Sequence, residues 1–487
     1  MNISLHMSKC YSTLVIISIG ILTSCQAPPQ GNTQAERPNV IIILTDDQGY
    51  GDLGCFGATD IETPHLDKLG KDGLILTDFY AAQAVCSASR AGILTGCYPN
   101  RIGVHGAYMP DSPQGLHPAE TTIAEMLKAQ GYKTGIFGKW HLGDHPDFMP
   151  LNQGFDEYFG IPYSNDMWPL HPEQGPVFNF DPLPLYHNDT VIDTLTDQSL
   201  LTTHITERTI DFISHSKEDP FFAYVAHPQP HVPLYVSDKF KGKSERGLYG
   251  DVIMEIDWSV GQIVDALVEH DLLDKTLIIF TSDNGPWLNY GTHSGSAYPL
   301  REGKGTAWEG GQREPTIVHY PNQIKGGRIL NTPMMNIDIL PTIAEITSSD
   351  LPEKTIDGKS LWDIWQGETD KVAQTAYYYY YKHNELHGVR YKDWKLYFPH
   401  SYRTLQGRSG KDDGTPVDYS QDTLRAIELY QLSTDVRETT DVAAQYPEVI
   451  DTITALADEM RRELGDNLLG VQGRGVRAAG QIESAIR

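Results

Sequence analysis

The stretch "AQAVCSASRAGILTG" (residues 82–96) places a cysteine, Cys86, among small residues, with Arg90 four positions on. No histidine lies close in sequence, so the thiol lacks the neighbouring base that makes a good sulfur nucleophile. The residues after Cys86 read as a helix, whose N-terminus favours a bound anion. Two other stretches offer hard oxygen ligands: Asp46 and Asp47 in "LTDDQGYGD", and Asp283 and Asn284 in "SDNG". Such a set suits calcium or magnesium better than zinc. Adjacent side chains on a strand face opposite ways, so Asp46 and Asp47 can serve one ion only where the chain turns. "GKWHLG" presents Lys139 and His141 two residues apart, on one face of an extended segment. "HPQPHVP" supplies His227 and His231 in a proline-stiffened loop, and "LREGKGTAWEGGQREP" sets Lys304 between glycines that allow close backbone approach.

These groups need a scaffold that brings distant segments together. "NVIIIL" (39–44), "YKTGIFG" (132–138), "PFFAYVA" (220–226) and "TLIIFTS" (276–282) are continuous apolar runs, as expected of strands buried on both faces. Helical patterns lie between them, at 122–131 and 251–273. The alternation predicts an α/β fold with a large, mainly parallel sheet flanked by helices. Each of the four runs leads into chemistry-bearing residues: Asp46 and Asp47, Lys139 and His141, His227 and His231, Asp283 and Asn284. Ligands of open parallel sheets bind beyond the carboxyl ends of the strands, so the four ends converge on one site.

After about residue 370 the texture changes. "TAYYYYYKHNELHGVRYKDWKLYF" (375–398) reads as antiparallel strands, its tyrosine run having alternate rings buried, and "YPEVIDTITALADEMRREL" (446–464) as an amphipathic helix. We therefore divide the chain into a leader (1–25), a tether (26–37), a catalytic domain (38–370) and a smaller C-terminal α+β domain with an antiparallel sheet (371–487). In the leader, Lys9 precedes the run "TLVIISIGILTSC", which is too short to span a bilayer. "LTSC", ending at Cys25, resembles a bacterial lipobox, whose cysteine is lipidated; a plain signal peptide is the alternative. The expected location is the bacterial envelope, periplasmic or cell-surface, with membrane contact only through the lipid anchor. The net charge of −26 repels nucleic acid and anionic membrane surfaces, so no nucleic-acid partner is expected. Three cysteines follow the leader, Cys55, Cys86 and Cys97; they make no disulfide framework, and a single Cys55–Cys97 bridge stays open.

"CSASRAGILTG" resembles the signature of type I, formylglycine-dependent sulfatases, C-x-(P/A)-x-R followed by Leu-Thr-Gly. "TDDQGYGDLGCFG", "GYKTGIFGKWHLG", "TSDNG", "GKGTAWEGGQREP" and "LYQLSTDVRETTDVA" are similar to further blocks of that family in family order, and "NQGFDEYFGIPYSND" resembles its arylsulfatase A-like members. The resemblance spans nearly the whole chain after the leader and implies an alkaline-phosphatase-like fold. Cys97 in "TGCYP" departs from the family's common residue. The resemblance also implies that a maturation enzyme oxidises Cys86 to Cα-formylglycine. One hydroxyl of the hydrated aldehyde attacks sulfur, and the other releases sulfate by re-forming the aldehyde. Asp46, Asp47, Asp283 and Asn284 match the family's calcium ligands, completed by the modified Cys86. Arg90 matches the residue steadying the hydrate, and Lys139 and Lys304 the contacts to sulfate oxygens. His141 matches the base for sulfate release. His231 matches the donor to the leaving alcohol, with His227 as second choice, and Ser164 matches a serine near the substrate.

The expected function is hydrolysis of sulfate esters, on a sulfated carbohydrate. Two alternatives remain: a phosphomonoesterase or phosphodiesterase on the same scaffold, which would use a serine or threonine nucleophile, and a calcium-dependent glycan-binding lipoprotein whose Cys86 is never matured. Lipidation predicts that the protein partitions into the detergent phase and that Cys25→Ala abolishes this; equal partitioning of the two proteins contradicts the anchor.

Overall fold

The computed structural model describes residues 1, 9, 37–170 and 180–482. The chain divides into two units, Met1–Glu36 and Arg37–Arg487. Cys25 and tether residues 26–36 lie outside the described residues, and all that follows concerns the second unit. Among the described residues no helix is long and apolar enough to cross a membrane.

Five strands form the parallel centre of an eleven-stranded sheet, in the order Thr276–Ser282, Asn39–Thr45, Phe221–Ala226, Lys133–Lys139 and Glu157–Ile161. The four apolar runs are thus adjacent, and their carboxyl ends lie side by side. Along Asn39–Thr45 the side chains divide by period two. Val40, Ile42 and Leu44 enter one apolar core, which includes residues of the helices Cys86–Thr95, Ile123–Ala129 and Ile339–Thr347. Ile41 and Ile43 enter another, with residues of Pro64–Asp72, Leu201–Ser216 and Leu248–Glu269. Each buried Val, Ile or Leu contributes about 1.5–3 kcal/mol, so a strand buried on both faces is held without any polar alternation. The sheet is mixed at both sides. Arg313–His319 runs antiparallel between Thr276–Ser282 and Leu74–Tyr80, and Pro184–His187 and Thr190–Thr194 form a hairpin beyond Glu157–Ile161.

A separate four-stranded antiparallel sheet comprises Tyr377–Tyr381, Glu385–Tyr391, Trp394–Tyr397 and Glu428–Gln431. The helix Pro447–Leu464 contributes Ile453, Ala457 and Leu464 to the same apolar cluster. The tyrosine run corrects the expectation of alternate burial, because Tyr377 to Tyr380 are all buried. Both faces of this strand are covered. The Tyr377 hydroxyl donates to Asp338 at 2.7 Å, and the Tyr379 ring packs 5.5 Å from that of Tyr80. On the other side Tyr378 and Tyr380 donate to the carbonyls of Leu456 and Gly465.

The two sheets meet over a buried ionic network. Glu309 accepts from Lys395 at 2.7 Å, Tyr80 at 2.8 Å and Arg313 at 3.1 Å, and its backbone N–H donates to Glu438 at 2.9 Å. Burial alone would raise Glu309, but the charges of Lys395, Arg313 and Arg390 together outweigh it and bring the group to about 2. Lys395→Ala leaves two buried carboxylates short of their cation and is expected to destabilise the fold by about 3–5 kcal/mol, read as a lowered denaturant midpoint.

Candidate active site

The first strand hands the chain to Asp46, and Asp47 then adopts a φ of +63°. That turn removes the opposition of adjacent side chains. Asp46 accepts from Arg90 at 3.1 Å and contacts Lys139, while Asp47 accepts from Lys304 at 2.8 Å and Asn284 at 2.6 Å. The Asp47 backbone N–H donates to Asp283 at 3.2 Å, joining two neighbouring strand ends.

The helix Cys86–Thr95 begins at Cys86, so Cys86 and Arg90 stand one turn apart on one face. Arg90 is fully buried, and every guanidinium nitrogen is used. Its Nε and Nη2 donate to Asp283 at 3.0 and 2.8 Å, and Nη1 donates to the Lys139 carbonyl at 3.0 Å. The Cys86 sulfur lies 3.4 Å from Asp46 Oδ1 and 3.2 Å from Lys304 Nζ. Lys139 Nζ also donates to Ser164 Oγ at 3.1 Å. Lys139 and His141 do not share an extended segment. The strand ends at Lys139, and His141 takes a φ of +61° with its N–H on the Pro162 carbonyl.

The histidine tautomers follow from their neighbours. His141 Nε2 faces the Tyr108 carbonyl at 2.9 Å, so Nε2 carries the proton and the buried Nδ1, without a partner among the described residues, keeps a lone pair. His231 Nδ1 faces the Val232 carbonyl at 2.6 Å, which leaves Nε2 free as an acceptor, 3.5 Å from Asp47. Burial and the Lys304 charge lower His231 to about 4, and burial with Lys139 and Arg90 pushes His141 well below its usual value. His227 lies apart: its Nε2 meets Ser259 Oγ at 3.3 Å on the helix Leu248–Glu269, and burial alone lowers it to about 4.

Charge governs the cluster. Burial would raise Asp46, but Lys139 and Arg90 hold it ionised. Burial pushes Asp283 up to about 7, with the Asp46 charge adding to the shift, and it pushes Asp47 up as well. Carboxylates poised in this way fit a further cation. Asp46, Asp47, Cys86 and His231 offer ligand atoms within 4.8 Å of one another, and Asn284 Oδ1 is buried without a hydrogen-bond partner among the described residues. The oxygens of Asp46, Asp47 and Asn284 suit a hard divalent ion.

The sulfatase family profile matches residues 38–349, and that of the C-terminal region of aryl-sulfatase matches 373–480. The chain is 36% identical over 459 residues to arylsulfatase A of Homo sapiens, covering 88% of each chain. This protein belongs to the sulfatase family. It is an arylsulfatase-type sulfuric ester hydrolase, which decides against the phosphoesterase alternative. The family uses a formylglycine and a metal, and Cys86 of this sulfatase lies within the candidate metal site. The sulfatase is also 36% identical over 405 residues to the N-acetylgalactosamine-6-sulfatase of Canis lupus familiaris, with coverage of 79% and 75%. A crystal structure of Ps i-CgsB in complex with k-i-k-neocarrahexaose superposes with a TM-score of 0.72 at 27% identity, covering 87% of this chain and 93% of that one.

Two residues of this sulfatase's site escaped the sequence reading. Trp287 packs 4.6 Å beneath Lys304 Nζ, and Arg403 donates from its Nε to the Lys304 carbonyl at 2.9 Å. Trp287 carried one signal, its place three residues beyond Asn284 at a strand end. Arg403 carried none, being 99 residues from Lys304. Cys55, Cys86 and Cys97 are all free. Cys86 is only 2% exposed, and burial together with the Asp46 charge pushes its thiol far up. Protein made without the maturation enzyme is therefore expected to leave Cys86 unalkylated by iodoacetamide at pH 8 until it is unfolded; peptide mass spectrometry reads the difference.

Proposed function

We propose that this sulfatase removes sulfate from a carbohydrate, using Cα-formylglycine made from Cys86 and a calcium ion. The observation that carries the reading is the position of the Cys86 sulfur, flanked by Asp46 at 3.4 Å and Lys304 at 3.2 Å in a buried cluster. The carbohydrate part is supported by relatives: one is named for N-acetylgalactosamine-6-sulfate, and one solved structure holds k-i-k-neocarrahexaose.

Asp46, Asp47, Asp283 and Asn284 would hold the calcium, with position 86 completing the set. When bound, calcium supplies a Lewis acid that draws charge from sulfate oxygens. Once modified, residue 86 would supply the nucleophilic hydroxyl and the second hydroxyl that drives sulfate release. Arg90 spans Asp46 and Asp283 and fixes their orientation. Lys139 and Lys304 approach from two sides and bind sulfate oxygens, where negative charge builds in the transition state. His141 Nδ1, the open lone pair, receives the proton during sulfate release. The negative charge of a bound sulfate ester raises the proton affinity of His231, so that Nε2 takes up a proton from solvent and gives it to the leaving alcohol. Ser164, held by Lys139, lies beside the substrate. Lipidation at Cys25 would place the enzyme in the bacterial envelope, where glycans arrive.

The test is a sulfated-oligosaccharide screen with native-host enzyme, paired with mass spectrometry of the peptide containing residue 86. The expected result is formylglycine in the peptide and release of sulfate from at least one sugar. An active enzyme with an unmodified thiol overturns the nucleophile, and activity restricted to non-carbohydrate esters overturns the substrate class. A thiol with glycan binding and no turnover selects the unmatured lipoprotein. His231→Ala is expected to lower kcat by about 10²–10⁴-fold, the usual range for a lost general acid.

A further inference from the structure

One wall of the catalytic cluster is aromatic. The Trp287 ring centroid lies 4.6 Å from Lys304 Nζ, 5.4 Å from the His231 ring and 6.0 Å from the Arg403 guanidinium carbon. Tyr290 backs it at 5.0 Å, edge to face. Lys304 and His231 are buried, whereas Trp287 is only partly buried. Its indole N–H is buried and makes no hydrogen bond among the described residues.

The two catalytic side chains it touches flank opposite ends of the bond to be broken, Lys304 at the sulfate and His231 at the leaving oxygen. A ring beside both lies next to the alcohol that departs. We propose that Trp287 is the platform against which the ring of the leaving alcohol packs. The inference rests on the roles proposed above for Lys304 and His231. The negative face of an aromatic ring matches the C–H face of a pyranose, and it equally takes the edge or offset face of an aryl group. Arg403 keeps the wall in register, because it anchors the Lys304 backbone.

The test uses matured enzyme with its formylglycine content verified, 4-nitrophenyl sulfate as ring substrate, the best sugar sulfate of the screen as second ring substrate, and inorganic sulfate as a ringless competitor. Contacts to the leaving group alone alter substrate binding and leave the anion pocket intact. Trp287→Leu, which fills the space without a π face, and Trp287→Ala are each expected to raise KM for the ring substrates about tenfold while changing the sulfate inhibition constant by less than about twofold. Trp287→Phe, which retains a ring, restores most of the affinity. A parallel rise in KM and in the sulfate inhibition constant would falsify the proposal, since the ring would then only prop Lys304. Unchanged constants in the leucine and alanine variants overturn it as well. Failure of the carbohydrate reading is separate: wild-type enzyme would cleave 4-nitrophenyl sulfate and no sugar sulfate, with the Trp287 effect still measurable on the aryl ester.

Discussion

The site depends on compensating charge where water is absent. Asp46, Asp47 and Asp283 are buried together with Arg90, Lys139 and Lys304. An uncompensated ion at such a place costs several kcal/mol, so each member is tolerable only because the others are present. Arg90 is the centre of this arrangement. It binds two carboxylates and the carbonyl of Lys139, and so links three strand ends through one rigid fork. The order of the sheet and the charge balance of the site are therefore one requirement. A displaced strand would strand a charge.

The same dependence reaches the C-terminal region. Lys304 sits on a loop whose carbonyl is held by Arg403, and the Arg301 guanidinium caps the Trp308 ring at 3.5 Å while donating to the Glu438 carbonyl at 2.9 Å. Glu309, just beyond, joins the buried network with Lys395 and Glu438. The lysine that meets Cys86 is thus positioned by residues roughly one hundred or more positions later in the chain. This gives the C-terminal region, through Arg403 on the strand His400–Thr404, a part in the geometry of the site as well as in stability.

Reading the chain in order found four of the five strands at the parallel centre, because strands covered on both faces must be apolar throughout; Glu157–Ile161 was missed. The antiparallel strands beside this centre were harder. Leu74–Tyr80 contains Thr77 and Asp78, and Arg313–His319 opens with Arg-Glu-Pro, so neither shows a continuous apolar run. Some of their polar groups pair across the two strands, as in the 2.7 Å contact between Arg313 and Asp78. The tyrosine strand shows the opposite case. Its type was legible, but its double burial required knowing that Tyr80 lies on one side and the helix Pro447–Leu464 on the other.

By itself the sequence determined which residue types could do the chemistry and that four strand ends would carry them, since apolar periodicity and side-chain chemistry are local properties. Only the tertiary structure decided that His231 enters the cluster while His227 turns to Ser259, that Asp47 reverses the chain so that both aspartates act together, and that Trp287 and Arg403 complete the wall around Lys304. Those outcomes turn on backbone dihedrals and on contacts between segments far apart in the chain. No short stretch of residues encodes them, because burial and charge compensation are defined only once the distant partners have met.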